Sequence, residues 1–584
     1  MALVFPGNAV AVASGPSQPG SATLTASSSQ ITFGGFVRLT GGIQSSDPDC
    51  MTDRQVQLQA QQQDEAAWTT VVAKTTAADG TFTFYRKPRF TSSYRAFLPA
   101  ASSPSGSCDA VTSNVAVTQV AARVVASMGR NPLGAGNCTR LDATVSPPRP
   151  GQNLSVQQEG PSGWTEIEAV SLDADSAAGA QLCFGWDSIG TVPLRAVWPP
   201  QDALNTDGTS RTISLRVVRA AWMVRIDRLT GGRFTSVLVA SGGSTLYERD
   251  GGVPHAPASN EKLLLSMALL DRLGPDYRIP TIAAAPKPDH GVVHGDLWIL
   301  GRGDPEVRKR TIASLARELV AAGVHRITGS VMGSTGFFSH DWFAHGWKPE
   351  FPAEDVALPS ALTFRWNQVH GIHISDPERL AAEALTRQLE GRGVKVAGAP
   401  GAGRPKGHLV RLASVLSAPL SVVLTHQNQD SINFDAEVLG KLLGVSRSGV
   451  PGTIAKGAAG IEAFADAHGA SVTSYDSSGL SYADRATAAG IVHLLQFADG
   501  ASWGQALRDS LAKPGTGTLE DRLHGVPLRA KTGTLTDVSA LSGWLLLKRT
   551  GEWAQFSILS SGFSASTAKD MEDAIVRTLW RSAA

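Results

Sequence analysis

Through residues 23–217 apolar and polar positions alternate with a period of two. In RQVQLQAQ, Val56, Leu58 and Ala60 interleave with polar partners, as in a strand with one face buried. Turn residues cut the segment into short strands. The pattern is used twice. VQLQAQQQDEAAWTTVVAKTTAADGTFTF is echoed by LSVQQEGPSGWTEIEAVSLDADSAAGAQLCF, and YRAFLPA by LRAVWPP, so Trp68 matches Trp164 and Arg95 matches Arg195.

A repeat of roughly one hundred residues made of short strands, with one cysteine pair per copy, resembles two tandem immunoglobulin-like sandwiches, placed at 23–120 and 121–217. From residue 218 the texture changes. AAWMVRIDRL and RFTSVLVASGGSTLYERDGG read as longer strands. PHAPASNEKLLLSMALLDRLG follows as an apolar helix, and TIASLARELVAAGVHRITGSVMG and DPERLAAEALTRQLEGRGVKVAG each read as an amphipathic helix, a glycine and a strand. RAKTGTLTDVSALSGWLLLKRTGEWAQFSILSSG reads as three strands with a hairpin at RTGE, closed by a helix over STAKDMEDAIVRTLWRS. This mixture is α/β with an antiparallel sheet, over 218–584.

A chain of 584 residues exceeds a single core and implies roughly three or four domains. The 52 basic and 51 acidic residues leave a formal net charge of +1, which provides no field to attract nucleic acid or an acidic membrane. No run of 18 or more apolar residues marks a membrane span. Cys50, Cys108, Cys138 and Cys183 all lie in the first third without zinc-ligand spacing. They fit local disulfides in an oxidising compartment, Cys50 with Cys108 and Cys138 with Cys183, one bridge per repeat. The opening MALVFPGNAVAVASG is apolar and ends like a signal-cleavage region, but no Lys or Arg precedes it. Residues 1–22 are therefore read as a leader or signal remnant.

Ser259 stands three residues before Lys262. That spacing also occurs at Ser510/Lys513 and Ser566/Lys569, and a serine there is equally a helix cap. The context decides. The chain holds one Ser-x-Asn, at Ser431 and Asn433, and one Lys-Thr-Gly, at Lys531, Thr532 and Gly533, in the order Ser-x-x-Lys, Ser-x-Asn, Lys-Thr-Gly. Residues i and i+3 share a helix face, so Lys262 can accept the Ser259 proton if burial lowers its pKa. Ser431 can relay that proton, Asn433 can hold a substrate backbone, and Lys531, Thr532 and Thr534 can meet a carboxylate. The backbone N–H groups of Ser259 and Thr534 can form an oxyanion hole.

With PASNEKLL, HGDLWILGRGDPE, LPSALTFRWNQVHG, DSSGLSYADR and KTGTLTDVSALSGW, residues 218–584 resemble the PBP4-type D-alanyl-D-alanine carboxypeptidase/endopeptidases, low-molecular-mass penicillin-binding proteins of peptidase family S13. The resemblance implies a serine β-lactamase/DD-peptidase-like fold carrying an inserted subdomain, placed at about 280–415. It implies Ser259 as acylated nucleophile, Lys262 as base, Ser431 and Asn433 as second motif, and Lys531, Thr532 and Gly533 as third. Peptidoglycan stem peptides and β-lactams are the expected partners, with no cofactor and no metal, in a secreted or cell-envelope protein. From Ser259 to Ser431 is 431 − 259 = 172 positions, short for the family, as if one inserted subdomain were missing. Ile432 replaces the more usual Asp, and Phe434 is the aromatic that follows. The tandem sandwiches are not part of the family pattern.

His290, His294, His370 and His373 lie in Gly-rich turns without a carboxylate trio and do not read as metal ligands. Asp476, Ser478 and Gly479 read as a structural turn lining the cleft. Two alternatives stand beside the DD-peptidase: a β-lactamase or esterase on the same fold, which needs a water-activating base not found in the sequence, and a wall-binding or adhesion protein with a degenerate peptidase domain. Oligomeric state is left open.

Overall fold

The computed structural model describes residues 17–104 and 106–583. Residues 1–16 of the proposed leader lie outside the described residues. Ser17–Gln18 and Gly20–Ala26 are strands, so the end of the stretch read as leader belongs to the first β layer. The chain divides into two compact units after Val218, with Gly185–Asp187 grouped with the second.

In the first unit the two repeats share one plan. The first pairs a three-stranded sheet of Gly20–Ala26, Val37–Ser45 and Thr81–Arg86 with a larger sheet that includes Gln55–Gln62 and Ser92–Leu98. Inward residues of both sheets, among them Leu39, Phe84, Leu58 and Ala96, form one core. The second builds Arg123–Met128, Asn137–Ser146 and Ala177–Phe184 opposite a sheet that includes Asn153–Gly160 and Gly190–Trp198. The matched Trp and Arg positions make the same contact twice. The Arg95 guanidinium lies 4.3 Å from the Trp68 ring and Arg195 4.2 Å from Trp164. Each arginine Nε donates to a glutamine on the next strand, Gln59 at 2.8 Å and Gln157 at 2.9 Å. Cys50 is bonded to Cys108 and Cys138 to Cys183. The second bridge joins register partners on adjacent strands of one sheet.

The second unit is built on a five-stranded antiparallel sheet in the order Ser244–Arg249, Phe234–Ser241, Trp553–Ser561, Val538–Leu546, Leu528–Leu535. The hairpin turn falls between Leu546 and Trp553, and the terminal helix spans Ala565–Ser582. One correction concerns AAWMVRIDRL. Ala221–Thr230 is a helix, not a strand, with Trp222, Met223, Ile226 and Thr230 buried. Those positions lie on one face at the 3.6-residue period, and the helix packs on Ala565–Ser582. Glu261–Leu273, Leu420–Asp430, Asn433–Ser448 and Ile454–Ala467 form a helical layer around a shared apolar core.

Between Pro280 and Leu416 a mixed sheet, in the order Gly401–Gly403, Val331–Ser334, Leu297–Leu300, Pro280–Ala285, Val410–Leu416, packs with the helices Lys309–Ala321 and Pro377–Glu390 around its own core. The helix–glycine–strand pattern seen twice in the sequence pairs with itself. Arg326–Ile327 runs parallel to Lys395–Val396, and Val331–Ser334 parallel to Gly401–Gly403. The excursion is not continuous, however: Phe338 joins the helical core, and Trp347 and Phe351 pack with Ile454 and Leu480. This middle stretch returns to the body of the unit.

Candidate active site

Ser259 lies in a 3₁₀ turn, Ala258–Asn260, that continues into the helix Glu261–Leu273. It is not the cap. The helix N-cap is Asn260, and no side-chain capping bond is made there. Ala258 has φ +47°, a left-handed conformation that costs about 1–2 kcal/mol for a residue with a Cβ. Two glycines close on this turn. A Cβ at Gly533 would stand 2.8 Å from the Pro257 carbonyl oxygen, and one at Gly479 would stand 1.9 Å from that of Ala258. The Lys-Thr-Gly glycine therefore gives room to the turn that carries Ser259.

Lys262 is fully buried. Its Nζ donates to Ser259 Oγ at 3.0 Å, to Asn433 Oδ1 at 2.7 Å and to the Ser478 carbonyl at 2.6 Å. Burial lowers its pKa from 10.5 to about 8, against the opposing pull of Asp476, Glu437, Glu261 and Asp435. An amine at that value has a substantial neutral fraction near neutral pH and can take a proton.

Ser431 ends Leu420–Asp430 in a left-handed conformation, φ 57° and ψ 43°, and Asn433 opens the next helix two residues on. This sharp junction brings both side chains to the cleft that Ser259 also lines. Lys531, on the edge strand Leu528–Leu535, donates through Nζ to Ser431 Oγ at 2.9 Å and to its neighbour's carbonyl, Thr532 O, at 3.0 Å. It too is fully buried, and burial, with repulsion from Lys262, holds it well below the usual lysine value.

Five side chains of the three motifs thus form two groups, Lys262 with Ser259 and Asn433, and Lys531 with Ser431. They border a cleft of about 370 Å³ lined by Ser259, Ser431, Asn433, Thr532 and Thr534. Lys531 itself is not among the lining side chains, which departs from the expectation that its ammonium faces a ligand. The hydroxyls beside it do face the cleft. The sequence reading missed further lining residues, Lys348, Phe351 and Asp355 from the returning stretch, Tyr482, Thr518 and Thr536. Thr532 Oγ1 donates to Thr518 Oγ1 at 2.8 Å, and Lys348 Nζ to Thr536 Oγ1 at 3.3 Å. Tyr482 and Thr536 lie within DSSGLSYADR and KTGTLTDVSALSGW, while no segment singled out in the sequence carries Lys348, Phe351, Asp355 or Thr518.

Behind Lys262 is a group of buried acids. Burial, followed by repulsion from neighbouring carboxylates, holds Asp484 well above the ordinary range, and burial also raises Glu261 and Glu437. Asp476 accepts from Gly479 N at 2.7 Å, Ser481 N at 2.8 Å and Trp347 Nε1 at 2.6 Å. The segment read as a structural turn is thereby tied to the returning stretch and, through the Ser478 carbonyl, to Lys262. Among the described residues no group of three His, Cys, Asp or Glu side chains could hold a metal ion.

Comparison with known proteins points the same way. A D-alanyl-D-alanine carboxypeptidase of Actinomadura sp. (strain R39) is 29% identical over 423 residues, 57% of this chain and 78% of that protein. A carboxypeptidase of Mycobacterium tuberculosis is 29% identical over 391 residues, 60% of this chain and 79% of that protein. The fold is similar to that of penicillin-binding protein 4 from Haemophilus influenzae, with a TM-score of 0.55 at 19% identity, covering 62% of this chain and all of the other. The model of the D-Ala-D-Ala carboxypeptidase 3 (S13) family matches residues 224–370 and 361–582, well over half of the chain, and the chain belongs to that family.

Proposed function

We propose that this protein is a serine DD-peptidase of peptidoglycan, acting through an acyl-enzyme on Ser259. The observation that carries this reading is Lys262 Nζ, buried, lowered in pKa and 3.0 Å from Ser259 Oγ. Ser259 Oγ attacks the carbonyl between two terminal D-alanines as Lys262 takes its proton. Ser431, held by Lys531, relays that proton from Lys262 to the leaving amine, and water then cleaves the ester as Lys262, neutral again, takes its proton. Asn433 Oδ1 accepts from Lys262, which leaves the Asn433 amide N–H groups for the substrate backbone. The Ser259 and Thr534 N–H groups receive the oxyanion. Thr532 and Thr534 meet the terminal carboxylate, with Lys531 supplying charge from behind them.

A β-lactam presents an equivalent carbonyl to the same serine, and a structure of the Haemophilus influenzae protein is described as a β-lactam complex. The short insert supports some endopeptidase action on crosslinks besides carboxypeptidase action. Residues 218–584 are the peptidase, with an inserted subdomain at about 280–415. Residues 23–120 and 121–217 are immunoglobulin-like sandwiches. Two disulfides support an extracytoplasmic site of action; among the described residues no helix is long and apolar enough to cross a membrane.

Mass spectrometry after incubation with benzylpenicillin tests the reading. A single covalent adduct, absent in Ser259→Ala, is expected; no adduct, or one that survives the substitution, overturns it. Digestion of peptidoglycan fragments should release D-alanine from pentapeptides and open some dimers.

A further inference from the structure

We propose that Glu437 is a positioning residue for Lys262, acting through the Ser478 carbonyl. The inference rests on Lys262 being the base that serves Ser259. Asn433 and Glu437 are four residues apart on the Asn433–Ser448 helix and so share a face. Asn433 touches Lys262 directly. Glu437 acts one step removed: its Oε1 accepts from Ser477 N at 2.9 Å and Ser478 N at 2.8 Å, and the Ser478 carbonyl accepts from Lys262 at 2.6 Å. Two of the three Lys262 contacts thus trace to a single helix face. One turn on, a Cβ at Gly440 would stand 2.0 Å from Ser477 Oγ, so helix and loop are in contact along that face.

Holding two N–H groups needs only one oxygen, which a glutamine would also supply. Glu437 is fully buried, and its second oxygen, Oε2, has no hydrogen-bond partner. Burial, with repulsion from Asp476, raises its carboxyl to about 7, so it is ionised on the alkaline side of neutrality, the range in which Lys262 titrates. Its charge lies with those that hold the proton on Lys262 against burial. The other groups facing Lys262 are Glu261 on its own helix, Asp435 beside Glu437, Asp476 on the loop and Lys531 on the edge strand. Asp484 faces Asp476 and Glu261, and Glu462 faces Glu261.

The test compares Glu437→Gln and Glu437→Ala with the unaltered protein. The rate of acylation by benzylpenicillin is measured per active site across the pH range in which Lys262 titrates, alongside Tm. Glutamine keeps an acceptor for both N–H groups but removes the charge, so Lys262 loses its proton at lower pH. The acid limb of the profile should move down by about half to one pH unit. Alanine also frees the Ser478 carbonyl and should slow acylation at every pH by at least about tenfold, more than glutamine does. A purely structural role would lower Tm in both variants and leave the acid limb in place, and that result overturns the proposal. If the alanine variant does not fold, the limb of the glutamine variant decides alone. Absence of any acyl-enzyme on Ser259 in the unaltered protein removes the functional reading and this inference with it. Normal acylation with an unmoved limb removes only this inference.

Discussion

Lys531 donates a hydrogen bond to Ser431 Oγ at 2.9 Å across 100 residues of sequence, and it does so from a fully buried position. The second and third motifs are therefore one unit. The Lys-Thr-Gly lysine sets the hydrogen bonding of the Ser-x-Asn serine, while the threonines beside it present hydroxyls to the cleft.

Ser431→Ala should leave the Lys531 amine short of an acceptor in a buried site and remove the proposed proton relay. Acylation by a chromogenic β-lactam should fall by roughly 10²–10⁴-fold, with benzylpenicillin still able to mark Ser259 slowly. An unchanged rate in stopped-flow measurements would remove Ser431 from the reaction.

Because burial places Lys262 at about 8, the neutral base becomes more abundant as pH rises through that value. The acylation rate should rise with it and level off above. Lys262→Arg cannot lose its proton in this range, so the variant should form no measurable adduct at any pH where the protein is folded. A pH–rate profile that is flat between the neutral and mildly alkaline range contradicts the assignment.

Free-acid and amidated D-Ala-D-Ala peptides separate the hydroxyls from the lysine. If Thr534 meets the terminal carboxylate, Thr534→Val should slow the free-acid peptide by about ten- to a hundredfold and scarcely alter the amidated one. Lys531→Ala, acting through Ser431, should slow both. Kinetics of released D-alanine and D-alaninamide distinguish the two patterns.

Gly479→Ala asks for a Cβ 1.9 Å from the Ala258 carbonyl at a residue with φ +77°. A stability loss of about 2–4 kcal/mol is expected, with acylation lost faster than the fold. Thermal unfolding and acylation measured on the same sample check it.

Peptide mapping without reductant should recover Cys50 with Cys108 and Cys138 with Cys183. Reduction should cost each repeat about 2–4 kcal/mol without altering acylation, since all four cysteines lie in the first compact unit. Loss of acylation on reduction would contradict this separation.

What was legible in the sequence was what neighbouring residues determine among themselves. The Ser259/Lys262 spacing places both on one turn of helix wherever that helix packs. Alternation of Val56, Leu58 and Ala60 makes a strand, and the doubled Trp–Arg pattern makes the same ring contact twice. The ordered motifs named the family before their side chains could be seen to meet. Period alone was less reliable at Ala221–Thr230, where a short apolar run fits both a strand and a helix, and only packing against Ala565–Ser582 decided.

Tertiary structure decided everything that depends on burial. No local pattern shows that Lys531 sits behind the cleft rather than in it, or that Lys348 and Asp355 return from the insert to line it. Asp476 reads in the sequence as a turn residue, and Glu437 belongs to no motif there. Their effect on Lys262 arises because the helix, the loop and the turn that carries Ser259 are pressed together away from water. Desolvation and charge act through space, and it is folding that brings distant segments within their range.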